Sequence, residues 1–205
     1  MKIGVIVLAA GASTRFGAGP PSGRLPKQLL LYENETLVRR AARAALAARG
    51  PVVVVVGREQ EKIANELLGL PVTVVPNEHW ERGIGSSLRC GLDALPRCDA
   101  IIVLTCDQPR VDAEAVRRLI ATWREIGKPI VASAYAGTLG VPALFGQKFF
   151  PQLRSLPDDQ GAKAVIAAHR DEVNAVPFEA GGLDIDTPED YERLTKGGFR
   201  NGGDG

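Results

Sequence analysis

Short apolar runs alternate with amphipathic stretches along the chain, and the two patterns predict different elements. Ile3 to Leu8 is apolar apart from Gly4, which has the length and character of a strand buried on both faces. Val52 to Val56 is an unbroken valine run, and branching at Cβ favours extended backbone there. Val72 to Val75, Ala100 to Leu104 and Pro129 to Ala132 repeat the pattern. Between them, apolar residues recur at three- and four-residue spacing. Leu37, Ala41, Ala45 and Leu46 form one stripe, and Val116, Leu119, Ile120 and Trp123 form another. Asp112 stands where an N-cap would open the second of these helices. Strands alternating with helices predict an α/β fold of Rossmann-like, three-layer α/β/α form with a mostly parallel central sheet. Its ligand should lie beyond the carboxyl ends of the strands.

Residues 1–196 read as one domain, with no linker-like stretch inside them. The end of the chain, Gly197 to Gly205, has five glycines in nine and reads as a tail with little to bury. The 205 residues carry 25 Lys+Arg against 24 Asp+Glu, a formal charge of +1, which argues against binding nucleic acid through bulk charge. No apolar run reaches the ~18 residues of a membrane span, and the start lacks a signal-peptide cleavage pattern. Cys90, Cys98 and Cys106 form neither a CxxC pair nor an even framework, so they read as reduced thiols. A cytoplasmic protein is expected, with no nucleic-acid or membrane partner.

Four strings carry candidate chemistry. The first strand runs into Leu8-Ala9-Ala10-Gly11-Ala12-Ser13-Thr14-Arg15-Phe16-Gly17, and an irregular stretch leads to Pro26-Lys27-Gln28. Small residues let a ligand approach backbone N–H groups, and Arg15 and Lys27 can neutralise phosphate charge. Neither GxGxxG nor GxxxxGK[ST] occurs, which disfavours a dinucleotide oxidoreductase and a Walker-type ATPase. The second string, Asn77 to Arg89, contains Gly83, Ser86 and Ser87 at the start of a predicted helix, where hydroxyls and unpaired amides can hold a base edge or phosphate. Taken alone, Ser86 would serve as that helix's cap. The third, Leu104-Thr105-Cys106-Asp107-Gln108-Pro109, ends a strand in a single acid suited to Mg²⁺, with Cys106 read as a small buried apolar residue. In the fourth, Asp184-Ile185-Asp186-Thr187-Pro188-Glu189-Asp190, Thr187 and Asp190 suit a capping box. Asp184 and Asp186 alternate on extended backbone, so one of them can reach the metal.

Together with Gly140-Val141-Pro142 and Asp159-Gln160-Gly161-Ala162-Lys163, these strings resemble the nucleotidyltransferase family that includes molybdenum cofactor cytidylyltransferase and molybdopterin-guanine dinucleotide synthase. Leu8-Ala9-Ala10-Gly11 looks like the cytidylyl-transferring branch, since the guanylyl branch typically has glycine in place of Ala10. Two features depart from the pattern: the stretch between Gly17 and Lys27 is long, and Val141 stands where the best-known cytidylyltransferases carry histidine. The resemblance implies a nucleotide-diphospho-sugar transferase-like fold, Mg²⁺ as cofactor, CTP or another NTP as donor, and a molybdopterin-type acceptor. A molybdenum hydroxylase apoenzyme is the candidate recipient. Leu8, Ala9, Ala10, Gly11, Ser13, Arg15, Lys27, Asn77, Gly83, Ser86 and Ser87 would bind nucleotide. Asp107 and Asp186 would hold the metal, with Arg15, Lys27 and Asp107 catalytic, and Gly140, Pro142 and Lys163 would meet the acceptor. The alternatives are nucleotidyl transfer to a sugar or polyol phosphate, and a cofactor-delivery protein without turnover.

Overall fold

The computed structural model describes residues 1–11 and 25–196, and all structural statements below concern these residues. The expected strand of the first apolar run is β1 (Ile3–Ala9), buried at every position. It pairs in parallel with the valine strand β4 (Val52–Val56) on one side and with β6 (Ala100–Thr105) on the other. β5 (Thr73–Pro76) adds to β4, also in parallel. β2 (Leu31–Tyr32) and β3 (Glu35–Thr36) form a separate small hairpin.

Beyond β6 the sheet changes character. β8 (Thr138–Gly146) runs antiparallel to β6 and to β7 (Ile130–Tyr135), and β9 (Val173–Pro177) pairs in parallel with β7. The order β5-β4-β1-β6-β8-β7-β9 is therefore parallel except at β8. Hydrophobic pattern alone predicted neither β8 nor β9. A proline inside a strand argues against one, and β8 contains Pro142. The β7–β8 hairpin turns at Ala136 and Gly137, both at positive φ (46° and 70°), as a two-residue turn between twisted strands requires.

Alternation along β1 explains why its run is unbroken: successive side chains feed opposite faces of the sheet. Val5, Val7 and Ala9 join a core formed with α1 (Leu37–Ala45), α2 (Gln60–Glu66) and α4 (Ala113–Ile126). Ile6, Leu8 and Ala10 join the opposite core, with α3 (Ile84–Ala94), α5 (Phe150–Arg154) and α6 (Ala162–Ala168). Burying one such aliphatic side chain contributes roughly 1.5–3 kcal/mol. The predicted caps form: an Asp112 carboxylate oxygen accepts from the Ala115 N–H at 2.9 Å, and Thr187 with Asp190 closes a capping box on α7 (Pro188–Thr195). The predicted tail, 197–205, lies outside the described residues.

Candidate active site

At the carboxyl end of β1 the buried residues Leu8, Ala9 and Ala10 lead to the exposed Gly11. A buried side chain fixes the path of this turn. Gln28, only 1% exposed, donates from Nε2 to the carbonyls of Ala9 (3.1 Å) and Gly11 (2.7 Å). Ser13 and Arg15 lie outside the described residues. A cavity of about 280 Å³ opens beside the turn, and its lining includes Leu8, Ala10, Gly11, Lys27, Trp80, Gly83, Ser87 and Asp107. The first and third strings meet at one edge, since β1 and β6 are parallel neighbours and their carboxyl ends coincide.

The serines divide. Ser87 lines the cavity, whereas Ser86 and Asn77 line a separate groove with His79, Arg82 and Arg89. Ser86 is not the helix cap expected from sequence. Gly83 occupies that position with φ 128°, and Ser86 sits in the first turn. Its hydroxyl donates toward the carbonyls of His79 and Gly83 and accepts from Asn77 Nδ2, so it fastens the turn instead of ending the helix. Asn77 Nδ2 also reaches Ser87 Oγ at 3.0 Å, and Asn77 Oδ1 accepts from the His79 N–H. A side chain at Gly83 would collide with the Asp158 carbonyl as well as strain the backbone, which accounts for glycine there.

Lys27 joins the first, third and fourth strings. Its Nζ donates to Asp107 at 2.7 Å and to Asp186 at 3.2 Å, with the lysine side chain 12% exposed. Burial works to lower the Lys27 pKa, but Asp107, Cys106 and Asp186 outweigh it and hold the group above the ordinary lysine value. The Ile185 N–H donates to the Asp107 carbonyl at 2.9 Å, which draws the fourth string onto the third. Asp184 stands in the same electrostatic field. Although its side chain reaches the surface, the surrounding protein desolvates its carboxyl and, together with Asp107 and Asp186, pushes it up to about 6. Cys106 is fully enclosed, and desolvation pushes its thiol up to about 12, as suits an apolar filler and not a nucleophile.

Asp107 and Asp186 approach one ammonium, so their oxygens face a common cation. Among the described residues no cluster of three or more His, Cys, Asp or Glu forms a metal cage. Two carboxylates fit a hard divalent cation that keeps water or takes its remaining oxygens from phosphates, the usual habit of Mg²⁺.

On the far side of Asp107, antiparallel β8 carries Gly140, Val141 and Pro142 along the same edge. Side chains hold its carbonyls: Tyr135 Oη donates to Val141 O at 2.9 Å, and Ser133 Oγ donates to Pro142 O at 2.7 Å. Gln108, 4% exposed, donates from Nε2 to Val141 O (3.0 Å) and to Gly181 O (2.8 Å). Lys163 is exposed in the first turn of α6 and is not among the residues lining the cavity. Sequence reading assigned no role to Gln28, Gln108, Tyr135 or Trp80. The available signal was placement alone: each glutamine directly follows a charged site residue.

Comparison with known proteins agrees with this geometry. Residues 5–173 match the model of the MobA-like NTP transferase domain. The purine catabolism protein PucB of Bacillus subtilis is 29% identical, over 93% of this chain and 95% of its own length. Nicotine blue oxidoreductase of Paenarthrobacter nicotinovorans is 31% identical, over 92% and 94%. The crystal structure of Rv0371c from Mycobacterium tuberculosis superposes with a TM-score of 0.79 at 29% identity, covering 95% of this chain and 98% of that one. The same mycobacterial protein is also known in complex with manganese. No described helix is long and apolar enough to cross a membrane. With its sheet order, its glycine turn and its acid–lysine cluster on one edge, the chain belongs to the MobA-like NTP transferase family.

Proposed function

We propose that residues 1–196 form a single nucleotidyltransferase domain that transfers CMP from CTP to the phosphate of a molybdopterin-type cofactor. An acceptor phosphate oxygen attacks the α-phosphorus, the new P–O bond forms as the α–β bridge breaks, and pyrophosphate leaves. The observation that carries this reading is Lys27 bridging Asp107 and Asp186 beside the Gly11 turn, a cation and two acids where a triphosphate would meet a metal. Family membership supports nucleotide transfer, and the molybdopterin-type acceptor rests on the resemblance of the sequence motifs.

In this reading the Ala10–Gly11 turn, Ser13, Arg15 and Lys27 bind the triphosphate. Gly83 and Ser87 bind the nucleoside at the cavity, and Ser86 and Asn77, expected from sequence as direct ligands, instead brace the turn that carries them. Asp107 and Asp186 hold Mg²⁺. When bound, the ion supplies Lewis-acid charge neutralisation and a template for phosphate oxygens. The chain's own work is alignment of two anions and neutralisation of charge as it develops. Gly140, Pro142 and Lys163 face the acceptor, and a molybdenum hydroxylase apoenzyme receives the product. Ala10 favours CTP, because its methyl narrows the space a purine would need.

The test is pyrophosphate release from CTP, GTP, ATP and UTP in turn, with Mg²⁺ and with molybdopterin or a polyol phosphate as acceptor. Release restricted to CTP plus molybdopterin supports the reading. GTP outrunning CTP at equal subsaturating concentration overturns the cytidylyl assignment, and EDTA-insensitive turnover overturns the metal assignment.

A further inference from the structure

Resting on that two-substrate reading, we propose that Gln28 and Gln108 are paired positioning residues, one setting affinity for the nucleotide and the other for the acceptor. Each directly follows a charged residue of the site, Lys27 and Asp107. Each is almost wholly buried, and each spreads one amide nitrogen across two backbone carbonyls.

Their partners differ, and that difference sets their roles. Gln28 ties Ala9 to Gly11 and so fixes the path of the turn whose residues Ala10 and Gly11 line the cavity. Gln108 ties Val141 of β8 to Gly181, in the turn that leads to Asp184 and Asp186. Its Oε1 accepts from Thr105 Oγ1 at 3.2 Å, anchoring the clamp to the end of β6. Removing the amide takes a donor from the Ala9 and Gly11 carbonyls in one case and from the Val141 and Gly181 carbonyls in the other, and the segment relaxes toward whatever partner it can find. A site loosened by even an ångström loses affinity on the loosened side first. Neither glutamine reaches a reacting atom in this scheme, so they position and do not catalyse.

Methionine keeps the length and bulk of glutamine without the donor, so Gln28→Met and Gln108→Met in the full chain are the direct probes. With CTP, Mg²⁺ and molybdopterin, Gln28→Met is expected to raise KM for CTP ~10-fold or more while KM for molybdopterin stays within about twofold. Gln108→Met is expected to do the reverse. CTP binding without acceptor, followed by tryptophan fluorescence, is expected to weaken only in Gln28→Met. A merely structural role would lower Tm in both variants and move the two KM values together, and that result overturns the proposal. If either methionine variant fails to fold, Gln→Asn at the same position keeps an amide one methylene short of its partners. The same split is then expected, and parallel shifts again overturn it. A wild-type chain that releases no pyrophosphate with any NTP and acceptor would sink the transferase reading instead. The pairing is then decided by nucleotide binding alone: selective loss in Gln28→Met supports it, and equal loss in both variants overturns it.

Discussion

The two sides of Asp107 are built on different principles. Toward β1, β4 and β5 every strand is parallel, so each ends at the same edge and delivers a turn there: Gly11 after β1, Gly57 after β4, Asn77 after β5. On this side the edge is made of turns. Toward β7 and β9 the antiparallel β8 brings a continuous strand along the edge, and its carbonyls are held by Tyr135, Ser133 and Gln108. Parallel strands give a nucleotide a ready cradle of backbone groups. An antiparallel strand gives the second side a surface whose details depend on side chains, and those can change without disturbing the cradle.

The largest expected effect falls on the seam. Asp107→Ala should lower turnover ~100-fold or more, because charge stabilisation of this kind is worth several kcal/mol. Circular dichroism should be unchanged, and near-normal Mg²⁺-dependent rates would remove Asp107 from the chemistry.

Lys27→Met tests whether the seam needs its own cation. Without the ammonium, Asp107 and Asp186 face each other as like charges. The partial exposure of Asp186 limits the loss of stability to about 1–2 kcal/mol, or roughly 2–8 °C in Tm. Added Mg²⁺ should raise Tm more in the variant than in wild type. The pKa of Lys27 is raised on folding, so its contribution is fully present below the unfolded value of about 10.5 and is lost only as pH rises through the higher folded value. The gap between wild type and variant should therefore be flat from pH 7 to 9. A gap that closes in that range would show that the ammonium is not the stabilising group.

Ala10→Gly should act on the nucleotide side alone. One methyl is worth ~1–3 kcal/mol of discrimination, so the GTP:CTP ratio of kcat/KM should rise about 5- to 100-fold with KM for the acceptor unmoved. An unchanged ratio would mean that the base is selected elsewhere, with Trp80 the next residue to examine. The smallest effect concerns the closure of β6. At pH 8 only on the order of 10⁻⁴ of a thiol with a pKa of about 12 is ionised, so iodoacetamide should label half-buried Cys90 well before Cys106. Mass spectrometry of native and urea-unfolded protein reads this directly, and early labelling of Cys106 would mean that the seam opens.

These differences also decided what could be read in the sequence. Parallel strands buried on both faces announce themselves as apolar runs, and the runs at Ile3, Val52 and Ala100 all became central strands. The caps at Asp112 and Thr187 were legible because capping is local chemistry at fixed spacing. β8 was not, since Gly140 and Pro142 interrupt its pattern, and the want of a side chain at Gly140 is set by Tyr135 on the neighbouring strand. Asp107 stood out as an acid at the end of the apolar run that forms β6, and the fold draws Lys27 and Asp186 to it. The glutamines that brace them were passed over, because a neutral amide looks the same on a surface as in a core. The cap reading of Ser86 taken alone failed because its partners, Asn77 and the His79 carbonyl, are set by the tertiary fold.

The turn at Ala136–Gly137 has a bearing on how such a scaffold diversifies. It sits at the tip of the β7–β8 hairpin, on the same edge as the site, and both of its residues adopt left-handed backbone. Hairpin tips accept insertions without shifting the register of the strands below them. Descendants of one ancestor could therefore acquire longer or chemically different tips here and so change which second substrate they accept, while inheriting the nucleotide end unaltered. Substrate range in this lineage would then evolve like an exchangeable tool on a fixed handle.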